Sequence, residues 1–167
     1  MADQAAAPQQ GDKQVLSWQD LEKATDAIAS QVGESGFVPS IIIAIARGGM
    51  VPAGILAYKL GVRLADVINV EFYTDMERTR PDPVLLAPML ETQAVSGQRI
   101  LVVDDVATSG RTLSIVMKLL RGFGADVRSA VVCTKPGTII APDFRWRTTQ
   151  GWIVFPWSSI APTTAGD

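Results

Sequence analysis

Histidine is absent from this 167-residue chain, and cysteine is almost absent. Without an imidazole, the sequence excludes a Ser-His-Asp or Cys-His nucleophile, a histidine-ligated zinc site and a histidine pH switch. The single cysteine, Cys133, excludes an intrachain disulfide and a four-cysteine metal site. Any acid–base chemistry therefore depends on carboxylates, lysine, tyrosine or the substrate itself.

The chain also lacks an excess of charge of either sign. Its 15 basic and 17 acidic residues give a net charge of −2, so we expect no nucleic-acid partner and no anionic membrane surface. Residues 1–14 lack the basic start and apolar core of a secretory signal. The charge-free stretch 148–166 is interrupted by Pro156 and Pro162, which excludes a membrane helix. These absences predict a cytoplasmic protein.

Length and composition favour one compact domain, because 47% of the residues are apolar. We expect a disordered tail over residues 1–13, a domain over 14–158 and a second tail over 159–167. Within the domain, residues 141–158 contain three of the four tryptophans and are expected to form a small hood over the C-terminal end.

The hydrophobic pattern predicts alternating strands and helices. The β-branched run Ile41–Ala46 is typical of a strand covered on both faces, and hence of a parallel sheet. The predicted order is helix 17–32, strand 41–46, helix 50–60, strand 66–73, strand 99–103, helix 112–123 and strand 127–133. The fold class is therefore α/β, with an open, mainly parallel twisted sheet flanked by helices. Ligands of such sheets bind beyond the carboxyl ends of the strands, so functional residues are expected just after Ala46, Val103 and Cys133.

Two adjacent carboxylates and a short hydroxyl-rich loop follow the strand that ends at Val103. Asp104 and Asp105 precede Thr108-Ser109-Gly110, and a helix begins near Thr112. A loop of this kind offers backbone N–H groups, hydroxyls and a positive helix end to a phosphate. Paired carboxylates suit ribose hydroxyls or a hard cation. Taken alone, the hydroxyls and glycine are also compatible with ordinary helix capping.

The whole segment VVDDVATSGRT resembles the phosphoribosyl-pyrophosphate (PRPP) signature of type I phosphoribosyltransferases. The resemblance implies a Mg²⁺-dependent reaction, with Asp104 and Asp105 contacting the ribose hydroxyls and the Mg²⁺-bound PRPP. It assigns the 5-phosphate to five residues of the loop: Ala107, Thr108, Ser109, Gly110 and Thr112.

Arg47-Gly48-Gly49 follows the first strand, and by itself such a turn has no specific meaning. In this fold it resembles the family's pyrophosphate loop, which implies that Arg47 and the Gly48 and Gly49 amides hold the leaving group. The proline-rich region 74–98 shows no clear periodicity and is either functional or disordered. It resembles the family's mobile catalytic loop, from which Arg78 and Arg80 could reach the pyrophosphate.

The base-binding end is predicted from Lys135-Pro136-Gly137 and the run 151–157. Separately, a lysine after a strand suits a solvated surface and a tryptophan suits a core. Together they resemble the short bacterial xanthine–guanine and hypoxanthine phosphoribosyltransferases. The resemblance implies that Lys135 meets the purine 6-oxo group, that Trp152 stacks on the ring and that the Ile153 backbone contacts the C2 side.

Thr108 departs from that pattern, because the 6-oxopurine enzymes have an aspartate at its place. A hydroxyl can donate or accept a hydrogen bond but cannot act as a base at neutral pH. The expected activity is purine salvage, in which PRPP and a 6-oxopurine give a nucleoside 5′-monophosphate and pyrophosphate. A transferase for orotate or adenine, and a PRPP- or nucleotide-binding regulator, remain the alternatives. The resemblance also implies a homodimer or homotetramer.

Overall fold

The structure is a computed structural model that describes residues 13–71, 84–86 and 92–164. Its elements, in chain order, are β1 (Gln14–Val15), α1 (Trp18–Glu34), β2 (Ile41–Ala46), α2 (Met50–Leu60), β3 (Leu64–Glu71), β4 (Val84–Leu86), α3 (Thr92–Val95), β5 (Arg99–Ala107), α4 (Arg111–Gly122), β6 (Asp126–Thr134), β7 (Phe144–Thr148) and β8 (Ile153–Val154).

Six strands form one sheet in the order β4-β3-β2-β5-β6-β7. All neighbours are parallel except β3 and β4, which are antiparallel. The predicted α/β class with a mainly parallel sheet is confirmed. Strands β1 and β8 form a separate two-stranded parallel sheet. Among the described residues, no helix is both long enough and apolar enough to span a bilayer.

The core lies on both faces of the sheet, because successive side chains of a strand point in opposite directions. Ile42 and Ala44 of β2 pack with α1 and α2 on one face. Ile41 and Ile43 pack with α4 on the other. This double coverage explains why β2 reads as an uninterrupted apolar run.

Residue chemistry fixes the helix ends. Ser17 and Asp20 form the capping box that was predicted at the start of α1, with each side chain bonded to the other residue's backbone N–H. Helix α2 ends at Gly61, whose φ of 67° lies in the left-handed region that glycine adopts without strain. These two signals are local, and both were readable from the sequence.

Three segments differ from the sequence-based expectations. Strand β5 was expected to end at Val103 but continues to Ala107, because its pairing with β6 extends to Thr134. The region 74–98 contains β4 and the short helix α3 within its described part. Part of the predicted hood, Phe144–Thr148, is β7 at the edge of the main sheet.

Candidate active site

The predicted site residues lie at the carboxyl ends of three neighbouring strands. Arg47 directly follows β2, Thr108 directly follows β5 and Lys135 directly follows β6. Because β5 lies between β2 and β6 in the sheet, the three following segments come together at one edge. The fold therefore brings these three residues together at the carboxyl ends of the strands, where the sequence analysis expected functional residues.

Asp104 and Asp105 lie within β5 rather than after it, which corrects the expectation from the sequence. The pairing of β2 with β5 ends at Ala44 and Val103, whereas β6 continues alongside β5 to its end. The last four residues of β5 thus have a strand neighbour on one side only. The two carboxylates are thus carried by the final part of a strand, where Asp104 lies opposite Val131 and Val106 lies opposite Cys133.

Burial governs the electrostatics of this carboxylate pair. Asp104 is only 9% exposed, and its pKa is raised well above the usual range by burial first and by the charge of Asp105 second. Burial also raises the pKa of Asp105. Within the described part of the chain, no lysine or arginine forms an ion pair with either carboxylate. Among the described residues, little positive charge therefore compensates the negative charge of this pair.

The loop after β5 encloses a cavity of about 160 Å³. All five residues predicted for the 5-phosphate line it, together with Asp104 and the unpredicted Val106 and Leu113. Gly110 is the N-cap of α4 and has a φ of 78°, and the Arg111 N–H donates to the Ser109 hydroxyl at 3.3 Å. The cavity thus combines the N-terminal end of a helix with the Thr108 and Ser109 hydroxyls, which is the environment that a phosphate requires.

Gly48 and Gly49 allow the loop after β2 to approach β5 closely. A Cβ atom built on Gly48 would overlap the Asp105 carboxylate. A Cβ on Gly49 would lie 2.6 Å from the Ile45 carbonyl oxygen and nearer still to that of Val103. Arg47 itself is exposed, and the peptide bond that precedes it is cis. The glycine pair therefore lets the loop that carries the exposed Arg47 pack against the end of β5, where the Gly48 backbone meets the Asp105 carboxylate.

Lys135, Trp152 and Ile153 also come together as predicted. The Lys135 ammonium donates a hydrogen bond to the Gly151 carbonyl oxygen, next to Trp152. The Trp152 side chain is 70% exposed, so its ring is open to stacking, whereas Ile153 is 9% exposed and packs in the core. Ile153 can therefore offer a ligand its backbone but not its side chain.

The segment after β6 also braces the phosphate loop, a role that the sequence did not reveal. The Lys135 N–H donates to the Ala107 carbonyl oxygen at 3.0 Å, and the Ile139 N–H donates to that of Ser109 at 2.8 Å. A Cβ on Gly110 would collide with Thr138. In the sequence, the dipeptide Pro136-Gly137 indicates a tight turn here, and in the structure Gly137 has a φ of 85°.

A second cavity lies apart from this cluster, and two of the predicted pyrophosphate contacts concern residues that the structure does not describe. Arg78 and Arg80 fall outside the described residues. A larger cavity of about 500 Å³ lies between α2 and the beginning of β3, lined by residues that include Tyr58 and Arg63. It opens at the amino-terminal end of the strands, and none of the predicted site residues lines it.

The protein is thus an α/β protein with a small loop cavity and a carboxylate pair at the carboxyl end of its parallel sheet. Comparison with known proteins identifies the family: residues 11–159 match the phosphoribosyl transferase domain. The chain belongs to the phosphoribosyltransferase family.

Curated relatives and solved structures agree with that assignment. The chain is 33% identical over 146 residues to a xanthine-guanine phosphoribosyltransferase of Nitratidesulfovibrio vulgaris, covering 86% of this chain and 83% of the relative. It is also 33% identical over 147 residues to the enzyme of that name from Cereibacter sphaeroides, covering 85% and 84%. A purine phosphoribosyltransferase structure from Pyrococcus horikoshii superimposes with a TM-score of 0.79 at 33% identity, covering 94% of this chain and all of that one.

Proposed function

We propose that this protein transfers the 5-phosphoribosyl group from PRPP to a 6-oxopurine, namely guanine, xanthine or hypoxanthine. The observation that carries the proposal is one juxtaposition. A phosphate-sized cavity adjoins a carboxylate pair, of which Asp104 is buried and Asp105 partly buried. The segment that braces this cavity also contains Lys135, next to the exposed Trp152. The relatives named as xanthine-guanine and purine phosphoribosyltransferases support the choice of base.

In the proposed reaction, a ring nitrogen of the base attacks the anomeric carbon of PRPP. The carbon–nitrogen bond forms, the carbon–oxygen bond to pyrophosphate breaks, and pyrophosphate leaves with the electron pair. The nitrogen's proton passes to solvent. The loop after β5 fixes the 5-phosphate, and Trp152 holds the ring, so binding supplies the alignment of the two reacting atoms. Arg47 and the Gly48 and Gly49 amides would hold the departing pyrophosphate.

Magnesium is part of the proposal, and the donor set fits it. Asp104 and Asp105 offer hard oxygen ligands, and no lysine or arginine of the described ranges forms an ion pair with them. Mg²⁺ is commonly held by one or two carboxylates plus substrate oxygens. Bound there, the ion would offset the charge that develops on pyrophosphate. Chelation by EDTA should abolish turnover, and added Mg²⁺ should restore it.

A panel of bases tests the proposal directly. The protein is incubated with PRPP, Mg²⁺ and guanine, xanthine, hypoxanthine, adenine, orotate or uracil, and pyrophosphate release is measured. Turnover of the oxopurines supports the proposal, whereas turnover of orotate, uracil or adenine alone contradicts it. Lys135→Ala should raise the KM for the oxopurine more than the KM for PRPP.

Thr108 is the position that separates this proposal from a second candidate. Its side chain is exposed on the phosphate loop and cannot act as a base near neutral pH. That observation favours a PRPP- or nucleotide-binding regulator, which would bind PRPP and turn over no base. Thr108→Asp measures the missing group: a rise in oxopurine turnover would identify it, and no change would place proton transfer elsewhere.

Self-association and location complete the proposal. We expect a homodimer or homotetramer, as the family resemblance implies, and the exposed apolar side chains of Met50, Tyr58 and Leu64 are candidates for the contact between copies. Light scattering on the eluting protein would measure the mass, and a monomer would contradict this expectation. A cytoplasmic location follows from the proposed substrate, since PRPP is made and used inside cells, and cell fractionation would test it.

A further inference from the structure

The N-terminal strand β1 holds the turn that presents Trp152, although it is far from that turn in sequence. The Gln14 N–H donates to the Trp152 carbonyl oxygen at 2.8 Å, and the Leu16 N–H donates to that of Val154 at 2.9 Å. Gln14 lies opposite Ile153, and Val15 opposite Val154. The backbone on both sides of Ile153 is therefore bonded to residues at the beginning of the domain.

Strand β1 is itself firmly anchored. Leu16 is buried in the same core cluster as Ile153 and Phe155. The next residue, Ser17, caps the 17-residue helix α1. Beside it, the Trp18 and Trp157 rings lie 6.2 Å apart, and Trp157 stacks on Phe155 at 4.7 Å. The position of β1 is thus set by a long helix and an aromatic cluster.

The turn is held from its other side by Lys135. The Lys135 ammonium bonds the carbonyl oxygen of Gly151 and lies 3.5 Å from that of Gln150. Three successive carbonyl groups, from residue 150 to residue 152, are therefore held by two separate donors. Of these two donors, the Gln14 N–H is independent of the Lys135 ammonium, which on the proposed function must also meet the base.

We infer that β1 is a positioning element for the base site. Its backbone N–H at Gln14 keeps the Trp152 turn in place while Lys135 turns from the Gly151 carbonyl towards the 6-oxo group of a purine. The part about Lys135 and the base rests on the proposed function. The mechanical part, that β1 fixes the turn, does not.

Two proline substitutions distinguish the loss of this hydrogen bond from the general effect of a proline in β1. Gln14→Pro removes the N–H that bonds Trp152. Val15→Pro is the matched control, because the alternation of a strand directs the Val15 N–H away from β8, and its side chain is 69% exposed. Gln14→Ala is a second control that keeps the N–H. Circular dichroism and thermal unfolding establish that each variant is folded.

The first measurement is hydrogen exchange in segment 149–155 without substrate. We expect about fivefold to tenfold faster exchange in Gln14→Pro than in Val15→Pro, as the loss of one hydrogen bond implies. The second measurement is kinetic. Gln14→Pro should raise the KM for the oxopurine by a similar factor and leave the KM for PRPP within about twofold. Equal exchange in the two proline variants, or equal rises in both KM values, would overturn the inference.

A measurement on the unaltered protein decides the matter if Gln14→Pro does not fold. The Gln14 amide and segment 149–155 should then exchange at matching rates, because they open together. A Gln14 amide that exchanges like an exposed group beside a protected turn would refute the inference. The exchange measurements do not require turnover. If the protein transfers no base, the proposed function is refuted, but hydrogen exchange still tests whether β1 fixes the Trp152 turn.

Discussion

Replacing Gly49 with alanine should destabilise the fold, because a Cβ atom there would overlap neighbouring backbone atoms. Gly54 is the matched control, because alanine there changes the helix propensity and adds no close contact. Gly49 has φ −66° and ψ −17°, angles that any residue adopts, so only space limits it. A Cβ there would lie 2.6 Å from the Ile45 carbonyl oxygen and 3.0 Å from the Ile45 nitrogen. These are backbone atoms of β2, and they cannot rotate away. Such overpacking costs about 1–3 kcal/mol.

Gly54 gives the opposite expectation within the same helix. It is exposed in the middle of α2, and nothing lies within 4 Å of its added Cβ. Alanine there should stabilise the fold by about 0.5–1 kcal/mol. The two variants should thus differ by roughly 1.5–4 kcal/mol in the free energy of unfolding, or roughly 3–16 °C in Tm for a chain of this size.

Thermal and urea unfolding of the purified variants measure this difference. If Gly49→Ala proves as stable as Gly54→Ala, the close packing of Gly49 against the carbonyl oxygens of Ile45 and Val103 is refuted. Gly48→Ala adds a third outcome. Its Cβ would meet the Asp105 carboxylate, which is a side chain that can turn aside by breaking its 2.7 Å hydrogen bond from the Val106 N–H. Gly48→Ala should therefore lose more activity than stability.

Three further predictions concern charge and protonation. Asp104→Asn should increase the free energy of unfolding of the ligand-free protein at pH 7 while abolishing PRPP-dependent turnover. Burial raises the pKa of the Asp104 carboxyl in the folded protein, so ionisation of this group destabilises the fold. This destabilisation is absent below the unfolded pKa near 4 and grows as the pH rises through the folded pKa. Urea unfolding should therefore show a larger gain for Asp104→Asn at pH 7 than at pH 4, and the opposite order would contradict the prediction. The Cys133 thiol, whose pKa burial raises to about 11, should resist a thiol reagent at pH 8 until denaturant is added, and rapid labelling of the folded protein would contradict its burial. Asp20→Asn should remove the pH-dependent part of the capping stability, whereas Ser17→Ala keeps the backbone N–H and should cost about 1 kcal/mol. Hydrogen bonds from the Ser17 backbone N–H first and its hydroxyl second lower the pKa of Asp20, so the capping stability should be present above pH 4 and lost as the pH falls through the folded value. An unchanged acid limb of urea unfolding in Asp20→Asn would argue against the capping box.

Local signals explain what the sequence could reveal about the fold. The run Ile41–Ala46 and the helix that ends before Gly61 were predicted with the bounds that the structure gives, because burial and the glycine stop are written in consecutive residues. Strand β7 was missed because it is an edge strand of five residues with exposed arginines, and only its pairing with β6 defines it. The pairing of β1 with β8 joins positions almost 140 residues apart and leaves no local pattern.

The site shows the same division. The residue types at Arg47, Asp104, Asp105 and Lys135 were readable, and the structure brings them to one edge. Their mounting was not readable, because the extension of β5 past Val103 depends on the length of β6. The bond from Lys135 to the Gly151 carbonyl was also hidden, since it joins two turns that are adjacent only in space.

The position of Asp104 and Asp105 on a strand has an entropic consequence. Fixing the backbone of one residue costs roughly 1–2 kcal/mol, and a carboxylate on a flexible loop incurs that cost each time a ligand binds. Here the pairing of β5 with β6 already orders the backbone, because Asp104 lies opposite Val131 and Val106 opposite Cys133, on either side of Asp105. If calorimetry of PRPP binding shows a large unfavourable conformational entropy, that entropy should therefore come from other parts of the chain. The two carboxylates would keep their position while those parts become ordered around the ligand.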